Sequence, residues 1–191
     1  MRPMLFLIFC TTVATLLVGC GGSPTKTSYY LLRSEVSGDV NREMSSSGIN
    51  LMTVKVASYI DQDGLVLATG GGQIHVANHH QWAEPLRHSL TALLANQITK
   101  ASGIDVYEGL NALSDTKVRL DVDIDQLHGG DQGRAVLVAR WTVSRLEGAE
   151  SGQKSYRFAK SQALDVDGYP ALVASERQLL NALAEAIAAS L

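Results

Sequence analysis

"KVRLDVDIDQLHGGDQGRAVLVARWTVSRL", residues 117–146, decides the fold of this chain. Its first part alternates: Val118, Leu120, Val122 and Ile124 point one way, while Arg119, Asp121, Asp123 and Asp125 point the other. A period of two is a strand with one apolar and one solvated face. "HGGDQG" marks a turn, and "RAVLVARWTVSRL" returns as a second strand. Pairing Leu127 with Arg134 sets Asp121 against Arg140 and Leu120 against Trp141, a register the glycine-rich turn leaves free to move by two residues. After a further turn, "GAESGQ", the stretch "KSYRFAKSQAL" reads as a third strand, so the three make an antiparallel meander.

Two helices flank this meander. In "AEPLRHSLTALLANQI", Leu86, Leu90, Leu93, Leu94 and Ile98 recur at helical spacing, and Glu84 and Pro85 suit a first turn. The closing "YPALVASERQLLNALAEAIAASL" carries Leu172, Leu179, Leu180, Leu183 and Ile187 on one side. Earlier come short strands: "YYLLR" at 29–33, "INLMTVKVA" with Met52, Val54 and Val56 on one face, then 65–68 and 73–77 joined through the glycines at 70–72. "SGIDVYEG" stops the first helix and adds a short strand, while 34–48 has neither period and reads as a loop. One-sided strands and amphipathic helices pack most economically as an α+β fold, an antiparallel β-sheet covered on one face by two helices. Val136 and Val138 fall on the outward face with Asp121 and Arg140. Two valines between charged neighbours need a cover, either the loop at 34–48 or a second copy of the chain. These four residues are the candidate oligomer interface.

The start of the chain is a separate object. Arg2 precedes an apolar run of 15 residues, Met4 to Val18. As a helix this is about 22 Å long, short of the ~30 Å hydrocarbon core of a bilayer. It reads as a secretory signal. The run ends in Leu17-Val18-Gly19-Cys20, which resembles the lipobox of bacterial lipoproteins: apolar, small, small, then a cysteine that is acylated before cleavage. Cys10 would leave with the signal, so Cys20 would be the one cysteine of the mature chain, and acylation removes a free thiol from an oxidising compartment. The expected organisation is a signal peptide at 1–19, an acylated cysteine with a flexible tether at 20–28, and one periplasmic domain at 29–191. Gly21 after the cysteine, rather than an aspartate, resembles the pattern of lipoproteins forwarded to the outer membrane.

Charge and motifs point away from other classes. The chain holds 16 Lys+Arg against 19 Asp+Glu and no basic block, which argues against a nucleic-acid partner. "DVDID" cannot be an EF-hand loop, because Gln126 and Gln132 stand where glycine and glutamate are needed. His75, His79, His80 and His88 come without cysteine or paired carboxylates, and the first three read as exposed loop residues, so no metal is expected. No phosphate loop and no G-x-S-x-G elbow is present, and His88 and Ser89 are adjacent on a helix and point apart. Neither catalysis nor a cofactor is expected.

The stretch "VKVASYIDQDGLVLATGGGQIHVANHHQWAEPLRHSLTALLANQI", residues 54–98, preceded by the lipobox and "YYLL", resembles the ABC-type transport auxiliary lipoproteins. The family pattern places Tyr-Leu-Asp-Arg-Pro after a strand and Trp-Ala-Glu-Pro-Leu at a helix start. Tyr59, Ile60 and Asp61 match the first element, with Gln62 and Asp63 in place of its Arg and Pro, while Trp82, Ala83, Glu84, Pro85 and Leu86 match the second in full. These motifs are structural in the family. The resemblance implies a non-enzymatic lipoprotein, anchored at the outer membrane through acyl chains on Cys20 and facing the periplasm. Its partner would be a mammalian-cell-entry (MCE) protein whose tube carries lipids between membranes, with the lipoprotein docked on the tube as a ring of identical subunits. An assembly factor or plug partner of an outer-membrane β-barrel is the alternative.

Overall fold

The computed structural model describes residues 25–33, 48–109, 116–148 and 151–191. The expected signal peptide, Cys20 and most of the loop expected at 34–48 lie outside the described residues.

In chain order the elements are β1 (Ser28–Tyr30), β2 (Ile49–Val56), β3 (Gly64–Gly70), β4 (Gln73–Trp82), α1 (Leu86–Ser102), β5 (Val106–Glu108), β6 (Val118–Gly130), β7 (Arg134–Arg145), β8 (Gly152–Ala163) and α2 (Tyr169–Ala188). The eight strands form one sheet, and both helices pack against it and against each other. The α+β class stands as read from sequence. The meander β6–β7–β8 is antiparallel throughout, as is the β3–β4 hairpin.

The rest of the sheet departs from the expected antiparallel pattern. β2 runs parallel to both β5 and β6, and β1 runs parallel to β4. For β2 the cause is connectivity: α1 lies between it and both partners in the chain and returns across the sheet, and such crossovers join parallel strands. β6 is the trunk of a branched sheet. One of its edges takes β7 along its whole length; the other takes β2 over Val118–Ile124 and then β3 at Gly129. The branch is tight at Gly129, where an added Cβ would sit 2.3 Å from Leu67 Cδ2 and 3.2 Å from Leu172 Cδ2. Only glycine lets β3 and α2 approach β6 this closely.

Two bulges set the faces. In β2 the register slips between Leu51 and Thr53, so the core side takes Ile49, Leu51 and Val54, and Met52 is the extra residue. In β6 it slips between Ile124 and Gln126, and Leu127 pairs with Leu137 rather than with Arg134. The strand runs on to Gly130 before turning, and residues 131–133 close the loop with Gln132 and Gly133 at φ 61° and 63°. Trp141 therefore faces Val122, and Arg140 faces Asp123 instead of the expected Asp121.

The core lies between the sheet's inner face and the helices. It joins Leu120, Val122 and Ile124 of β6 and Leu137, Ala139, Trp141 and Val143 of β7 to Leu90, Leu93, Leu94 and Ile98 of α1 and Leu172, Leu179, Leu180, Leu183 and Ile187 of α2. The Trp141 ring stacks on Tyr156 at 5.2 Å, and its Nε1–H donates to Ser190 Oγ at 2.9 Å. α1 stops at Gly103, whose φ of 73° and N–H bond to Thr99 O form a left-handed cap. β8 is a long edge strand, and Lys154, Arg157 and Lys160 along it discourage unwanted strand pairing. No helix among the described residues is long and apolar enough to cross a membrane.

Candidate functional site

The residues of the two motif elements come together where β4 ends and α1 begins. Trp82 is buried, its N–H donating to Asp63 O at 2.7 Å, and the Ala83 N–H donates to Tyr30 O at 2.7 Å. Pro85 occupies the N-cap position; having no side-chain oxygen, it caps through its carbonyl, which accepts from the N–H groups of His88 and Ser89. Leu86 starts the buried stripe.

Glu84 stands just before the helix rather than in its first turn. Its carboxylate accepts from Arg33 Nη2 at 2.6 Å and Nε at 3.2 Å, and from Ser89 Oγ at 2.6 Å. The Arg33 guanidinium and then the Ser89 hydroxyl hold its carboxyl at about 2. Asp61 pairs with Arg87 of α1, fixing the 57–63 loop to the same helix. Tyr59 lies half-buried with its ring 6.1 Å from that of His128 and its hydroxyl donating to Asp125 O at 3.5 Å. Burial, with the Asp125 charge behind it, raises the Tyr59 phenol above its ordinary value. These residues join three segments: the first strand, the loop after β2 and the start of α1.

The candidate interface lies on the sheet face away from the helices. Val136 and Val138 are half-buried there, opposite His128 and Gln126 on β6 and Ser161 and Ala159 on β8. The tight turn at 131–133, offset by one residue at the bulge, moves Arg140 two positions along from Asp121. Asp121 accepts from Thr53 Oγ1 at 2.6 Å, whereas Arg140 grips Asp125 with Nε and Nη2, each at 2.9 Å. That grip lowers the Asp125 carboxyl below the usual carboxylate range.

The histidines are placed by β4, which runs five residues past its expected end and carries His75, His79 and His80 as strand residues. His80 is the centre of an aromatic stack that the sequence did not reveal. Its ring lies 3.9 Å from Tyr169 and 5.9 Å from Tyr30, and Tyr30 Oη bonds its Nδ1 at 2.8 Å. Among the described residues no group of three or more His, Cys, Asp or Glu side chains is arranged to hold a metal ion.

Two further features were not legible in the sequence. Glu176, in the middle of the α2 core stripe, is fully buried, and its Oε2 has no hydrogen-bond partner; burial pushes its carboxyl up to about 8. Beside the start of α2, a cleft of about 180 Å³ opens between Leu67, Leu164, Tyr169 and Leu172. Gly129, Gly130, Gly133 and Gly168 form the remaining wall, and Arg134 stands at its edge.

No curated protein matches the chain. In fold it is similar to a crystal structure of an uncharacterized protein, with a TM-score of 0.72 at 21% identity, covering 86% of this chain and 98% of that one. It is also similar to protein XCC0632 from Xanthomonas campestris, with a TM-score of 0.63 at 15% identity, covering 85% and 93%. A PelC dodecamer from Paraburkholderia phytofirmans reaches only 0.43 at 13% identity, covering 78% and 92%, too distant to inform assembly. Residues 30–188, nearly all of the described domain, match the family described as ABC-type transport auxiliary lipoprotein component. The chain therefore belongs to the ABC-type transport auxiliary lipoprotein family.

Proposed function

We propose that this chain is a non-enzymatic lipoprotein, acylated on Cys20 and held on the periplasmic side of the outer membrane, where a ring of copies docks an MCE-domain lipid-transport tube. Membership of a transport auxiliary family supports the transport role, and the lipobox-like Leu17-Val18-Gly19-Cys20 supports the anchor.

One structural observation carries the reading: the way the first strand is fastened. β1 begins at Ser28, eight residues after Cys20, and pairs with β4. Leu32 is wholly buried, Arg33 grips Glu84, and Arg177 of α2 donates to Leu31 O at 2.9 Å. A pull on the tether is thus resisted by a strand, a core side chain and two arginines. This suits a domain that holds a partner in place from a membrane anchor. Val136 and Val138 offer a half-buried apolar strip for contact between copies, which would need roughly 1,000 Å² or more of interface.

Chemical crosslinking in native membranes, followed by identification of the captured proteins, tests the partner. Capture of an MCE-domain protein is the expected result. Capture of an outer-membrane β-barrel without any MCE-domain protein would replace this reading with the assembly-factor one.

A further inference from the structure

The tether and the 180 Å³ cleft lie at the same end of the domain. β6 ends at Gly130 and β3 runs parallel to it, while β4 runs back antiparallel to β3 and β1 follows β4. The chain before Ser28 therefore heads toward the end where β6 turns into β7. That end also holds the β3–β4 hairpin tip, the 164–168 loop and the start of α2. The link is physical: Ser28 pairs with His80, and the His80 ring lies on Tyr169, which lines the cleft. From that level to Leu67 is about three strand residues, or about 10 Å at ~3.3 Å each. The eight residues from Cys20 to Ser28 span at most about 28 Å at ~3.5 Å each. An anchor at Cys20 would therefore keep the cleft within reach of a bilayer surface.

The exposed side chains of this end agree. Ile74 near the hairpin tip and Val166 in the 164–168 loop are 46% and 69% exposed at this end of the domain. Arg134 lines the cleft, and Asp131, Asp165 and Asp167 adjoin its lining residues Gly130, Leu164 and Gly168 in the chain; all four charged residues are exposed. Asp167 Oδ1 would lie 3.6 Å from a Cβ placed on Gly133 in the cleft wall. This pairing of signs suits a headgroup that carries both: a phosphate toward Arg134 and an ammonium toward the aspartates. It is a poor match for a purely anionic lipid. For size, an apolar cavity of about 150 Å³ accommodates benzene, so this cleft has room for about six carbons of a hydrocarbon chain.

We propose that the cleft between Leu67, Leu164, Tyr169 and Leu172 takes the end of one acyl chain of a zwitterionic bilayer phospholipid, drawn from the membrane that this end of the domain faces. The proposal rests on the anchoring reading above for its orientation. It adds a direct lipid contact to a protein otherwise read as a dock.

The test uses the full chain purified from membranes and placed in vesicles of phosphatidylcholine, a fraction of it bearing a diazirine at the end of one acyl chain. After illumination, mass spectrometry locates the label and reads the modification of Cys20. Label on Leu164, Tyr169 or Leu172 is expected. Leu164→Trp, which fills the cleft, should lower it about tenfold or more, the loss of two buried methylenes at roughly fourfold each. Arg134→Glu, at an exposed position whose guanidinium bonds Ser161 and no core residue, should lower it severalfold even if the tryptophan variant folds poorly. Label confined to the tether or the outer sheet face, or unchanged in both variants, would overturn the acyl site. So would an unlabelled cleft, whether it is closed to lipid or held by the chain's own acyl group. An acylated Cys20 with an unlabelled cleft sinks this inference alone; an unmodified Cys20 sinks the anchoring reading with it.

Discussion

Arg33 and Glu84, fifty-one positions apart, meet through two hydrogen bonds, and Ser89 Oγ completes the carboxylate's coordination from inside α1. The contact ties the end of the first strand to the start of a helix whose N-cap residue, Pro85, supplies no side-chain oxygen. Glu84→Ala should lower the melting temperature more than Arg33→Ala, because it also removes the partner of the nearly buried Ser89. Arg33→Lys should recover only part of the loss, since an ammonium cannot repeat the two-point grip. Thermal unfolding of the three variants checks the order.

The stability of the domain should peak near pH 4.5. Glu84 has its carboxyl lowered to about 2, so its contribution is complete above the ordinary carboxylate value of 4.5 and is lost as pH falls toward 2. Glu176 acts in the opposite sense. With its folded-state value raised from 4.5 to about 8, the native state keeps a proton that the unfolded chain gives up, and stability falls as pH rises between those values. The slope from one such group is roughly 1 kcal/mol per pH unit. Glu176→Gln should flatten that alkaline limb and raise stability at pH 7, as read by urea unfolding across pH. An unchanged slope would mean that Glu176 finds a partner for its charge.

Gly129→Ala tests the branch in the sheet. The added methyl must displace Leu67 or Leu172, so the variant should lose about 1–3 kcal/mol, the usual cost of overpacking. Leu67→Ala in the same chain should restore part of it, and a double-mutant cycle measures the coupling.

The outer face carries the prediction about assembly. The purified chain should sediment as more than a monomer at tens of micromolar. Val138→Arg should dissociate it with little change in melting temperature, because Val138 is only half-buried within one copy. A monomeric parent chain under those conditions would contradict the ring.

How much of this was legible in the sequence depended on range. Faces were readable: Leu120, Val122 and Ile124 on β6, and the leucine stripes of both helices, are buried as their periods require. Partners were less so, because a period tells which side is apolar and not which strand lies beside it. The parallel pairs of β2 were missed for that reason, and the Asp121–Arg140 pairing failed because β6 and β7 pair further toward the turn than expected, a three-residue change of which the bulge near Asp125 takes back one. β4 outran its expected end through "NHHQW", where Asn78 and two histidines hide the alternation. Glu176 was invisible as a core residue, since a charged letter at a buried helical position looks like a solvated one. Four of the residues lining the cleft are glycines that the sequence presents as ordinary turn residues.

A lipid on residue 20 would hold this domain at a membrane. The mass of the chain isolated from native membranes measures it directly. Loss of residues 1–19 and a Cys20 carrying acyl groups are expected. An uncleaved chain, or a mature one whose Cys20 sulfur is unmodified, would contradict that anchor.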